Sequence, residues 1–263
     1  MTLHVACAAV GRYVVHAGAL LHALAPYDVE IHYLHGDGLS ARSRRRLAAT
    51  APGKVAFHAA RDEGLPVLGA FTQAMWFRLQ LPELVDADRV LHLDADTLPL
   101  GDPAPLAALD LAGGWVGAVD NVLQPDHVGH VRSLGLDPAA YFNSGVLLLD
   151  LAALRGSGAM DDVRAVARSR AGARGWPDQD ALNLVLGPHR TALHPRWNAM
   201  NALWAFPDLT VGADFDEARA APAIRHFEGP GANKPWARGS RTPHAAAWRA
   251  HRRASAFPRF ARS

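Results

Sequence analysis

The first hundred residues alternate short apolar runs with amphipathic stretches. Leu3 to Ala9 (LHVACAA) reads as a buried strand, and Val14 to Leu24 carries its apolar residues at helical spacing. Asp28 to Gly36 (DVEIHYLHG) alternates as a second strand and ends in a turn. Ser40 to Ala49 follows as a helix whose Arg42, Arg44, Arg45 and Arg46 form a solvated face. KVAFHAA, from Lys54, is a third short strand, Thr72 to Leu84 a helix, and Val90, Leu91 and Leu93 belong to a fourth strand. This β-α-β-α-β order predicts an α/β protein with a mostly parallel, Rossmann-like sheet flanked by helices. In the second half, Gly113 to Asn121 reads as strand and turn, and Tyr141 to Leu151 (YFNSGVLLLDL) as a strongly apolar strand. Val163 to Arg170 is helical, and Trp176 to Leu186 is a helix opened by Pro177 and Asp178. Ala223 to Phe227 is the last strand and leads into GPGANKPW.

Composition narrows this little. The 263 residues, 49% hydrophobic and 20% charged, describe a globular protein with a substantial core, and a formal charge of +2 names no partner. The one cysteine, Cys7, excludes internal disulfides and lies in an apolar run, where it reads as a core residue. Met1 to Ala25 lacks a basic start and is interrupted by His4, Arg12, His16 and His22, so neither a signal peptide nor a membrane span is read there. The expected location is cytoplasmic.

The chemistry gathers at strand ends and helix starts. Asp94-Ala95-Asp96 follows the fourth strand directly, at the carboxyl edge where open α/β sheets bind ligands. Residues i and i+2 of an extended segment face the same way, so both acids can meet one cation, and hard oxygen ligands suit Mg²⁺ or Mn²⁺. The bland alternative is a turn made by aspartates. His226 closes the last strand and reads either as a core histidine or as the imidazole of a carboxylate-imidazole metal site. The loop from Gly229 to Lys234 can hold a diphosphate through the lysine ammonium, though GxxxxGK[ST] is absent. Asp178-Gln179-Asp180, with Asn143 and Ser144, offers amides and carboxylates to a hydroxyl-rich ligand; Asp178 reads equally well as a helix cap. No Ser-His-Asp order, HExxH, zinc-spaced Cys/His set or GxGxxG fingerprint is present.

Read together, AMWFRLQLPEL, VLHLDADTLPLGD, YFNSGVLLLDL, PDQDALN, PRWN and HFEGPGANKPW resemble glycosyltransferase family 8, in the family's order, over about residues 70 to 240. The resemblance implies a GT-A fold: a nucleotide-sugar domain over residues 1–240, with 241–263 as a basic, helical C-terminal tail. It implies a retaining hexosyltransferase moving galactose or glucose from a UDP-sugar to a saccharide or glycolipid acceptor. Asp94, Asp96 and His226 would hold Mn²⁺. Ala8, Gly229 and Lys234 would contact the nucleotide diphosphate, and Arg78, Asn143 and Asp178 the donor sugar. Gln179 would lie beside the anomeric carbon in a front-face reaction, or Asp180 would be the nucleophile of a double displacement; both stay open.

Three departures stand out. Val10, in CAAVGRY, occupies the place where the family usually has an acidic residue three before a tyrosine, here Tyr13. The loop GPGANKPW is slightly longer than the usual form. Tyr13, Tyr27, Tyr33 and Tyr141 all fall in predicted core elements, which argues against self-glycosylation. In the tail, Trp248, Phe257 and Phe260 alternate with Arg249, Arg252, Arg253 and Arg259. That pattern reads either as a terminal helix packed on the domain or as a peripheral contact with an anionic inner-membrane face. The rivals to a transferase are a catalytically silent nucleotide-sugar binder, a metal-dependent nucleotidyltransferase and, least of all, a nucleic-acid-binding module, for which no binding fold is recognisable.

Overall fold

A computed structural model describes residues 2–69, 71–170 and 175–257. Four strands build the first half: β1 (Leu3–Ala8), β2 (Val29–His35), β3 (Val55–Ala59) and β4 (Arg89–Leu93), with helices α1 (Tyr13–Leu24) and α2 (Ala41–Thr50) between them. Ser40 caps α2, its side chain accepting from the Ser43 amide. β1 pairs in parallel with β2 on one side and with β4 on the other, and β2 pairs in parallel with β3. The chain thus moves outward from β1 to β3 and returns across β1 to lay down β4. That reversal opens a crevice at the carboxyl ends of β1 and β4, where Ala8 and Asp94 lie.

The second half continues the sheet. β5 (Thr97–Pro99), β6 (Val116–Asp120), β7 (Phe142–Asp150) and β8 (Arg190–Ala192) follow, with helices α3 (Leu81–Leu84), α4 (Pro125–Ser133), α5 (Leu151–Ser157), α6 (Ala159–Ser169) and α7 (Pro177–Leu186). The main sheet runs β3-β2-β1-β4-β7-β6-β8, with β7 antiparallel to both its neighbours. Val146 and Leu148 alternate with Leu147 and Leu149 along β7, and all four are buried. A central strand covered on both faces reads as a continuous apolar run for this reason. One face meets α1 through Leu20, Leu21 and Leu24 against Val5, Ile31 and Leu91. The other meets Trp76, Phe77, Leu81 and Leu182. Each large apolar side chain removed from water contributes about 1.5–3 kcal/mol. Cys7 is in this core, where burial pushes its thiol up to about 12.

Three expectations change. The helix expected over 72–84 is a 3₁₀ helix, Gln73–Gln80, followed by the single α-turn of α3. Pro82 has no amide to give the Arg78 carbonyl, so an α-helix cannot run through; the Leu81 amide bonds that carbonyl instead. A second, three-stranded sheet also forms, in which β10 (Ile224–His226) lies between β5 and β9 (Ala199–Met200). Helices α8 (Ala202–Ala205) and α9 (Ala213–Ala220) precede β10. Of the tyrosines, Tyr33 and Tyr141 are buried, but Tyr13 and Tyr27 are only half-buried.

The tail forms α10 (Ala245–Ala254), packed on α1. Trp248 and Phe257 are 2% and 4% exposed, so neither ring is available to a membrane surface. Phe257 lies over Gly18 of α1, where a β-carbon would approach its ring to 2.7 Å. Arg259 and Phe260 lie outside the described residues. No helix among the described residues is long and apolar enough to cross a membrane.

Candidate active site

β4 delivers Asp94 to the crevice, and the turn into β5 delivers Asp96. β10 pairs antiparallel with β5, setting His226 opposite Thr97, so a residue far along the chain arrives beside the two acids. The donor atoms of Asp94, Asp96 and His226 all lie within 4.8 Å of one another. Two carboxylates and one imidazole form an O,O,N set suited to Mn²⁺ or Mg²⁺. His226 is oriented for it. Its Nδ1 meets Asn198 Oδ1 at 3.0 Å, which makes Nδ1 the protonated nitrogen and leaves Nε2 a lone pair, 3.4 Å from Asp96. The Asn198 amide is itself oriented, its Nδ2 donating to Asn143 Oδ1 at 2.9 Å. The ring rests on Gly145, where a β-carbon would overlap it.

Opposing charges hold the acids. Lys234 donates its ammonium to Asp96 and, at 2.8 Å, to the Phe227 carbonyl. Burial disfavours charge on Asp96, but the Lys234 ammonium outweighs it and holds the carboxyl well below its ordinary range. Asp94 goes the other way: burial raises its pKa despite Arg78 at 2.8 Å. Lys234 stays charged, because Asp96 more than offsets the cost of its burial. The loop before it turns once as a 3₁₀ helix, Gly231–Asn233, which absorbs its length and brings the lysine back to β5. Gly229 opens that loop with φ of +87°, a conformation that favours glycine.

The sugar-side candidates converge as well. Arg78 reaches Asp94, Asp178 at 3.5 Å and the Ser144 carbonyl. Asp178 accepts from Ser144 Oγ at 3.3 Å, so it faces the crevice and does not cap its own helix. Gln179 Oε1 accepts from Asn143 Nδ2 at 3.2 Å and from the Ser144 amide at 3.0 Å. Asp180 is differently placed. Tyr141 donates to one of its oxygens at 2.6 Å and His130 meets the other at 2.9 Å. Both oxygens are therefore engaged, beside Gly175 (φ +129°), where a β-carbon would crowd Asp180 Oδ2 and the His130 ring. Ala8 closes β1, half-buried, with Val10 after it packed on the core.

The sequence pattern gave Asn198, Gly145, Tyr141 and His130 no role in the site. PRWN contains Asn198 and YFNSG contains Gly145, so those segments carried a signal without showing its use. His130 lies in α4, a stretch without strong apolar period.

A family model described as Glycosyl transferase family 8 matches residues 9–239. The chain is 31% identical over 182 residues to General stress protein A of Bacillus subtilis, covering 66% of this chain and 62% of that protein. It is also 31% identical over 178 residues to Lipopolysaccharide 1,2-glucosyltransferase of Escherichia coli, covering 65% and 52%. The chain thus spans less than two thirds of the length of these curated relatives. Among solved structures, the galactosyltransferase LgtC with donor and acceptor sugar analogs aligns with a TM-score of 0.86 at 23% identity, over 98% of both chains. The glycosyltransferase GlyE of Streptococcus pneumoniae aligns at 0.73 and 19% identity, over 96% of this chain and 60% of that one. The fold expected from the sequence, α/β of GT-A type, is the fold observed.

Proposed function

Since the chain belongs to glycosyltransferase family 8, we propose that it is a retaining hexosyltransferase. It would move galactose or glucose from a UDP-sugar to a hydroxyl of a saccharide or glycolipid acceptor. The observation that carries this reading is the meeting of Asp94, Asp96 and His226 at the crevice mouth, with Lys234 on one acid and Arg78 on the other. A divalent cation held by those three side chains, Mn²⁺ or Mg²⁺, would offset the charge that develops on the leaving diphosphate. The Lys234 ammonium adds to that when it turns from Asp96 toward the phosphates, with Ala8 and Gly229 lining their path. Arg78 fixes Asp94 and Asp178 relative to each other. Asn143, Asp178 and Gln179 then face the sugar hydroxyls from one wall. Asp180 holds α7 through Tyr141 and His130. Its engaged oxygens favour it as a positioning residue and favour front-face attack, with Gln179 beside the anomeric carbon, over double displacement.

The test is calorimetry of the chain with UDP, GDP and ADP, each with and without Mn²⁺, repeated on Asp96→Ala. Mn²⁺-dependent UDP binding that this substitution abolishes is the expected result. Tight GDP or ADP binding instead would make Val10 the mark of a different nucleotide. Absence of metal-dependent nucleotide binding would overturn the reading and leave a family fold without its chemistry.

A further inference from the structure

A second set of metal-ligating side chains lies on the sheet, near the amino ends of β1 and β2 and away from the crevice. His4 of β1 pairs in register with Glu30 of β2, and His32 stands two residues further along the same face. His4 Nδ1 and His32 Nε2 are turned toward each other at 3.0 Å. The Glu30 carboxylate oxygens lie 3.7 Å from His4 Nδ1 and 3.9 Å from His32 Nε2. All three donors thus face one point. Zinc bound tetrahedrally at about 2.0–2.2 Å sets its ligand atoms about 3.4 Å apart, so a shift of a few tenths of an ångström would close the site.

The surroundings support ligation. His58 of β3 meets His32 Nδ1 through its Nε2 at 3.0 Å. A ligating His32 would donate its Nδ1–H to that nitrogen. His32 Nε2 then carries a lone pair, with its tautomer set by a neighbour as in known metal centres. For His4, ligation through Nδ1 places its ring proton on Nε2.

We propose that His4, Glu30 and His32 form a site for a borderline divalent cation, Zn²⁺ in the first instance. Water would fill the fourth position and His58 would orient His32. Two imidazoles and one carboxylate suit zinc better than the hard cations expected in the crevice. The bound ion ties β1 to β2 and is independent of the transferase reading.

The experiment is zinc titration of the full chain, stripped of metal, against a chromophoric chelator, with circular dichroism to confirm folding. Wild type is expected to take up one zinc equivalent that persists in Asp96→Ala and is lost in His4→Gln and Glu30→Gln, both partly exposed positions. His58→Gln is expected to weaken this equivalent about 10–100-fold. Two results would overturn the proposal. One is zinc uptake unchanged in the folded His4→Gln and Glu30→Gln chains; the other is uptake that disappears entirely with Asp96→Ala while that chain remains folded.

Discussion

Lys234→Met removes the ammonium that Asp96 depends on while keeping most of the aliphatic stem. The two side chains are 9% and 13% exposed, and Lys234 donates directly to the carboxylate. Removing one member of a buried ion pair costs about 3–5 kcal/mol, because the other charge is left uncompensated. The residual exposure of Asp96 reduces this to about 2–4 kcal/mol. For a chain of this length that is a fall of roughly 5–15 °C in Tm, measured in EDTA. Mn²⁺ at a hundred times its Kd stabilises a folded chain by about 2.7 kcal/mol. It should do more for Lys234→Met than for wild type at equal concentration, since in wild type the cation must take Asp96 from the lysine. The assay is thermal and urea unfolding of both chains, with EDTA and with Mn²⁺. A variant within about 0.5 kcal/mol of wild type in EDTA would refute the argument. So would equal Mn²⁺ stabilisation of both chains: either result means that Lys234 is not the countercharge of Asp96.

Gly145→Ala places a methyl into the His226 ring; the ring must move, and Mn²⁺ affinity measured by calorimetry should fall at least tenfold while the fold loses about 1–3 kcal/mol. Asp180→Asn keeps the shape but weakens the bonds to Tyr141 and His130. It should cost about 1–3 kcal/mol in urea unfolding and lower kcat by less than the loss for Gln179→Ala; a larger kcat loss for Asp180→Asn would restore it as nucleophile. Burial, with Arg252 nearby, lowers His16 to about 4, where it stacks on Trp236 at 3.7 Å. The unfolded chain, with an ordinary histidine, binds the proton first. Stability is therefore level above about pH 6.5 and falls toward pH 4, with about 2 kcal/mol from His16 alone lost by pH 5. His16→Gln should flatten that slope in urea titrations between pH 7 and 5, and an unchanged slope would refute the assignment.

The sequence by itself determined the parallel half of the sheet, because apolar period records which side of each segment faces water. Val5 and Cys7, Ile31 and Tyr33, and the run through β7 carry that record residue by residue. It also placed Asp94 and Asp96 at a strand end, since the strand stops where the aspartates begin. Of the small sheet β5-β10-β9, only β10 was legible, as the strand over Ala223 to Phe227; β5, β9 and the pairing left no such trace. Strands of two or three residues have too few positions to show a period, and their pairing is a long-range event that local pattern does not encode. Yet that pairing carries His226 to Asp96, and the loop turn after it carries Lys234 to the same carboxylate. Likewise, nothing in PDQDALN distinguishes Gln179 from Asp180 as the proposed reacting group. Only the folded chain brings Tyr141 and His130 onto Asp180, and Asn143 and the Ser144 amide onto Gln179. A side chain's type sets what chemistry it can do. Which neighbours share its charge and its hydrogen bonds is decided by packing between segments distant in the chain, and there the tertiary structure had the deciding part.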